Sequence, residues 1–226
     1  MKNQTSRTKR IVKVIAVGGG AGRAVDLLNR RGFRAVSFLA CDTDGCALQQ
    51  LSLPCYRLGE GIMKGHVAGG WPKIGYDAAE ASAGDIERLL SDGTQLAIVV
   101  ACLGGGAGTG AAPVIAKIAK KMGLAVVGLL SYPFESETHI ARYNAVNGYC
   151  EMCDQADSTS MLSNEELLLQ EPDLSIREAL QKADDVLARA IENLAGISGK
   201  DGQPICAEDV KAFYKAGFYI RNFIGQ

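Results

Sequence analysis

No apolar run in this chain approaches the roughly 18 residues needed to cross a bilayer. The longest, at 96–103 and 124–130, are the length of strands. The first residues are polar and basic, with no apolar stretch ahead of a small-residue cleavage site. No secretory signal is therefore expected, no direct insertion into a membrane, and a cytoplasmic location. Charge of either sign is not in excess: 24 Lys and Arg stand against 25 Asp and Glu, a formal net charge of −1. That excludes a general binder of nucleic acid or other polyanions. Histidine is nearly absent, with only His66 and His139. The Cys150-x-x-Cys153 pair thus lacks the two further ligands of a structural zinc site, and it reads as two thiols on adjacent turns of one helix. No metal site and no internal repeat are expected. The 7 cysteines, an odd number, read as reduced thiols.

Glycine is abundant, with 27 of 226 residues against a usual level of about 7%, and it gathers in a few loops. Residues 1–10, basic and without an acid, read as a solvated tail. Apolar runs at 11–17, 36–40, 96–103 and 125–130 each end in glycine or polar turns, which suits strands buried on both faces of a parallel sheet. Segments 23–31, 72–90 and 111–122 between them read as helices. Alternation of this kind predicts an α/β fold, a doubly wound, mostly parallel sheet with helices on both faces. Beyond Ser131 the pattern turns mostly helical, with helices expected over 135–153, 173–195 and 207–223, and a turn at 199–203. Along the second of these, Ile176, Leu180, Ala183, Leu187, Ala190, Ile191 and Leu194 share one stripe. Asp184 lies at its edge, where a carboxylate needs a donor or water, and Asp185 points away.

Two glycine clusters carry the chemistry, GGGAGR at 18–23 and GGGAGTG at 104–110. Each lies between a strand and its helix. Glycine permits positive φ and close approach of a ligand to the backbone. Successive N–H groups at a helix N-terminus form an anion site, to which the Thr109 hydroxyl adds a donor. Two such loops at the ends of strands in one sheet can hold a di- or triphosphate from both sides. No Lys follows either cluster, so neither is a Walker A loop. The dinucleotide fingerprint is broken by Arg23 in its third glycine position, although an acid follows at Asp42 or Asp44. An NAD(P) oxidoreductase therefore stays open as a weaker alternative, as does a mere packing turn.

The segment GGGAGTGAAPVIAKIAK from Gly104 resembles the tubulin/FtsZ family of GTPases, and within it the bacterial FtsZ group. So do KVIAVGGGAGRAV, ACDTDGCAL from Ala40, LGEGIMKGHVAGGWP from Leu58, YPFESE from Tyr132, LSNEELL from Leu162 and KADDVLARAIENLAGI from Lys182, all in the same order. The resemblance implies a GTP-binding domain over 11–172 and a central helix over 173–195. It places GTP or GDP phosphates on Gly19, Gly20, Ala21 and Gly22, and on Gly104, Gly105, Gly106, Ala107, Gly108, Thr109 and Gly110. Gly69 and Gly70 fall near the terminal phosphate, Glu137 at the ribose, and Asn164 at a nearby base or ribose contact. Asp184 falls at the guanine-reading position, where a carboxylate accepts from both N1–H and the exocyclic amine. Asp44 falls near the nucleotide and an accompanying Mg²⁺.

The chain also departs from the family pattern. Arg23 replaces an Asn, Gly70-Trp71-Pro72 replaces Ala-Asn-Pro, and Asp42 replaces an Asn. The family arginine falls at Ala141, with Arg142 one place late. The catalytic stretch Asn-x-Asp-Phe-Ala-Asp aligns with Pro204-Ile205-Cys206-Ala207-Glu208-Asp209, leaving Asp209 alone as a matching acid. Residues 196–226 then read as a remnant of the catalytic loop and following helix, with the family's second globular domain missing. The expectation is a GTP-binding bacterial division protein whose hydrolysis is weak or depends on a partner subunit. Its partners are FtsZ-like subunits, self or full-length homologue, met through the nucleotide face. The alternative is a non-catalytic protein that caps or modulates full-length filaments.

Overall fold

The computed structural model describes residues 12–63 and 66–197. The expected basic tail, the turn at 199–203, the last helix and Asp209 lie outside the described residues.

A six-stranded parallel sheet runs in the order β3-β2-β1-β4-β5-β6. Its strands are β1 (Val12–Val17), β2 (Ser37–Asp42), β3 (Cys55–Arg57), β4 (Leu96–Cys102), β5 (Ala125–Tyr132) and β6 (Ser158–Ser163). The central strands β1 and β4 are apolar almost throughout because both of their faces are covered. Val12, Val14 and Ala16 pack under α1 (Gly19–Arg30), α8 (Asn164–Gln170) and α9 (Ile176–Ile197). Ile15 and Val17 pack on the other face, under α4 (Pro72–Ala81), α5 (Ala83–Leu90), α6 (Gly106–Lys121) and α7 (His139–Gln155). Two short helices, α2 (Gly45–Gln49) and α3 (Glu60–Met63), follow β2 and β3.

This is the doubly wound α/β architecture that the apolar runs predict. Strand order reverses between β1 and β4, so a crevice opens at their carboxyl ends.

Several boundaries differ from the sequence reading. The helix expected over 72–90 is two helices, broken at Ser82, whose Oγ accepts from the Gly59 N–H at 2.8 Å. The helix expected from 135 starts at His139, because Thr138 Oγ1 caps it by accepting from Ala141 N at 3.1 Å. The polar β6 and the three-residue β3 interrupt what read as loop or helix. Most of each glycine cluster is itself helix: α1 begins at Gly19 and α6 at Gly106.

Candidate functional site

Both helices that start at the crevice do so without a side-chain cap. In α2, α7 and α8, by contrast, Asp44, Thr138 and Ser163 supply one. At α1, Gly18 N donates to Cys41 O and Gly22 N to Gly18 O, both at 2.9 Å. That leaves the N–H groups of Gly19, Gly20 and Ala21 as the donors of an open first turn. At α6 the corresponding donors belong to Gly106, Ala107 and Gly108. The two turns face each other across a cavity of about 310 Å³, which Asp42, Thr43, Asp44, Ala68, Gly69, Cys102 and Gly105 also line.

The glycines divide into separate tasks. Gly18 and Gly104 adopt φ of 85° and 106°, the left-handed conformation that turns each strand into its helix. Gly20, Gly106, Gly108 and Gly110 are required by packing. A Cβ at Gly20 would lie 2.8 Å from the Cys102 side chain, and one at Gly108 would lie 2.6 Å from Cys102 O. At Gly106 it would meet the Ala68 methyl at 2.6 Å, and at Gly110 it would collide with the Pro72 carbonyl. Gly105 alone in its cluster faces open space without a left-handed φ, at −82°. Thr109 is buried, and its Oγ1 accepts from Gly104 N at 2.9 Å. As an acceptor it braces the turn, and its O–H is still able to donate.

Among the described residues no basic side chain lines this cavity, whereas two acids do. Buried Asp42 accepts from Asp44 N at 3.1 Å, and burial raises its carboxyl above the usual range. Asp44 caps α2, accepting from Cys46 N at 2.9 Å and Ala47 N at 3.3 Å. Burial pushes the Cys102 thiol up to about 11. The bond with Ser131 and the charge of Arg23 act against that rise, and Asp184 and Glu137 add to it.

A second cavity, about 940 Å³, adjoins the first, and Gly19 and Ala47 line both. Its walls are α1, through Arg23, Asp26, Leu27 and Arg30, and the start of α9, through Ile176, Leu180 and Asp184. The stripe on α9 accordingly splits. Ala183, Leu187, Ala190, Ile191 and Leu194 are buried, whereas Ile176 is 55% and Leu180 37% exposed, turned toward the cavity. Asp184 is half-buried, and burial pushes its carboxyl up to about 6 against the pull of Arg23. Asp185 pairs with Arg31 on the outside. Asp26, buried, is saturated by Ser52 and Arg30.

A small cavity with open helix N-termini, joined to a larger one with an apolar wall and a single raised carboxylate, matches a phosphorylated ligand carrying a planar base. The profile of the tubulin/FtsZ family GTPase domain matches residues 11–170. The chain belongs to the tubulin/FtsZ family.

It is 40% identical over 194 residues to the cell division protein FtsZ of Porphyromonas gingivalis, covering 85% of this chain and 42% of that one. It is 36% identical over 194 residues to FtsZ of Pseudomonas aeruginosa, covering 85% and 49%. The structure of an empty FtsZ dimer of M. jannaschii superposes with a TM-score of 0.85 at 30% identity, over 95% of this chain and 63% of that one. The chain thus spans about half the length of the curated relatives it matches.

Of the remaining residues singled out by the tubulin/FtsZ resemblance, Gly69 lines the smaller cavity, whereas Gly70, Glu137, Arg142 and Asn164 line neither. Gly69 and Gly70 have φ of 57° and 82°, and both are exposed. Glu137 Oε1 accepts from Phe134 N at 2.9 Å, and Arg142 donates to Glu135 O at 2.7 Å, so both brace the β5–α7 loop. Asn164 is buried, and its Oδ1 has no hydrogen-bond partner among the described residues. Of the cavity-lining residues, Thr43, Ala47, Ala68, Leu180 and Cys102 were not anticipated as site residues. Cys150 and Cys153 both lie exposed on α7.

Proposed function

We propose that the chain is the guanine-nucleotide-binding part of an FtsZ-like, cytoplasmic, bacterial division protein. Phosphates occupy the smaller cavity between the first turns of α1 and α6, and the base occupies the larger one against Asp184. The observation that carries this is the pairing of two uncapped helix N-termini at the sheet's switch point, continuous with a cavity ending in a raised carboxylate.

Two helix termini supply partial positive charge and directed N–H groups. With Asp42 and Asp44 on the wall and no Lys or Arg lining the cavity among the described residues, the phosphates call for a cation of their own. A hydrated Mg²⁺ held by one carboxylate and the phosphates fits that donor set and would neutralise charge there. Arg23 lines the larger cavity, offsetting Asp184.

Hydrolysis is expected to be slow, because Pro204 and Cys206 stand where the family has Asn and Asp. Partner subunits approach through the nucleotide face, and the relative of known structure from M. jannaschii is itself a dimer.

Denaturing the purified protein and separating released nucleotide by chromatography tests the reading. GDP or GTP is expected. NAD(P), or no nucleotide together with no binding of added GTP by calorimetry, would overturn it.

A further inference from the structure

Asn144 sits on α7, outside both cavities, yet its side chain joins two of the loops that frame the smaller one. Its Nδ2 donates to Gly70 O at 3.1 Å and to Gly104 O at 3.2 Å. Facing two carbonyl oxygens, the amide has only one tolerable orientation, nitrogen inward.

The consequence lies in the peptide plane. A trans peptide directs its N–H opposite to its C=O. Holding the Gly104 carbonyl toward α7 therefore directs the Gly105 N–H away from α7, and Gly105 lines the phosphate cavity. Glycine on both sides makes this peptide easy to flip. A flipped peptide would present a carbonyl oxygen to the phosphates instead of a donor. Two further contacts seat the turn: Thr109 Oγ1 holds Gly104 N, and a Cβ at Gly104 would lie 3.2 Å from Ala141 O on α7. Neither of them holds the Gly104 carbonyl.

We infer that Asn144 is a positioning residue for phosphate binding, a latch that fixes the Gly104–Gly105 peptide with its N–H available to the ligand and ties the Gly69–Gly70 loop to the same point. The inference rests on the phosphate reading above.

The test uses Asn144→Leu, similar in size and without donors, and Asn144→Asp, which sets a carboxylate against two carbonyls. Affinities are measured for GTPγS, GDP and guanosine, alongside backbone hydrogen exchange of the nucleotide-free proteins at 68–71 and 103–106. Losing a neutral hydrogen-bonding group predicts about a three- to tenfold loss for GTPγS and GDP in Asn144→Leu and a larger loss in Asn144→Asp. Guanosine, which has no phosphate, should bind all three proteins alike, and exchange should quicken in both segments. Parallel losses for all three ligands, or unchanged nucleotide affinity, would overturn the latch. Wild-type protein that binds neither GTPγS nor GDP would overturn the proposed function, and the exchange rates would still decide whether Asn144 holds the two loops.

Discussion

Replacing Asp184 by Asn should move stability and binding in opposite directions. In the nucleotide-free protein the carboxylate is half-buried, and burial lifts its pKa from an ordinary 3.8 to about 6, with Arg23 opposing. The folded state therefore disfavours the ionised form. Near neutral pH that form costs stability, and the cost is relieved as pH falls through about 6. Taken whole, the rise would be worth about 3 kcal/mol at about 1.36 kcal/mol per pKa unit. The carboxylate remains partly in water, so about 1–2 kcal/mol is the realistic share. Asp184→Asn removes the charge and should raise Tm at pH 7.5 by a few degrees, at about 2–4 °C per kcal/mol for a domain of this size. The same change removes one of two acceptors for guanine, and losing a bond to a charged group costs about 1.5–3 kcal/mol. GTP affinity should fall about ten- to a hundredfold, while ATP affinity barely changes. Calorimetry with both nucleotides from pH 7.5 to 5 completes the experiment. Because the phosphates titrate in this range, the quantity to plot is the wild-type-to-variant ratio at each pH. The wild-type advantage should shrink below pH 6. Equal loss for GTP and ATP, or a ratio flat with pH, would refute the assignment of Asp184 to guanine.

Gly105→Ala should leave Tm within about a degree, since a Cβ there meets nothing within 4 Å, yet weaken GTP by crowding the phosphates. Unchanged affinity by calorimetry would show that the ligand does not approach Gly105. Gly108→Val should both destabilise and abolish binding, because its Cβ would press on the Cys102 and Val17 carbonyls. Overpacking of this kind costs about 1–3 kcal/mol, measurable by urea unfolding. Phosphate release from GTP should be slow and should not climb steeply with protein concentration, and a steep climb would show that subunits still assemble a working site. Lys13→Met removes a buried ammonium paired with Asp92 at 2.8 Å, at the opposite end of β1 from Gly18. It should lower Tm while GTP affinity stays within about twofold, and a larger change would show coupling along the strand.

The central strands were legible because burial on both faces leaves an unbroken apolar signature. β6 was not, because an edge strand with Ser158, Thr159 and Ser160 carries no such signature and is specified by pairing with β5. The stripe on α9 was legible as a stripe, but periodicity does not separate a core wall from a cavity wall, and Ile176 and Leu180 turned out to be the latter. The glycine clusters announced themselves, whereas the division of labour inside them depends on Ala68, Pro72 and Cys102, residues brought there from elsewhere in the chain. Asn144 carried no signal at all, since its meaning arises only when Gly70 and Gly104 arrive on either side of it.

The close contact between α4 and α6 has an evolutionary corollary. A Cβ at Gly75 would collide with the Gly106 carbonyl and one at Gly110 with that of Pro72, so these glycines are held by backbone against backbone. Selection to keep the protein folded would preserve them even in a descendant that had lost its ligand. Across such a lineage, the positions free to drift would be Gly105 and Asp184, and their identity, more than the glycine signature, would record whether nucleotide was still in use.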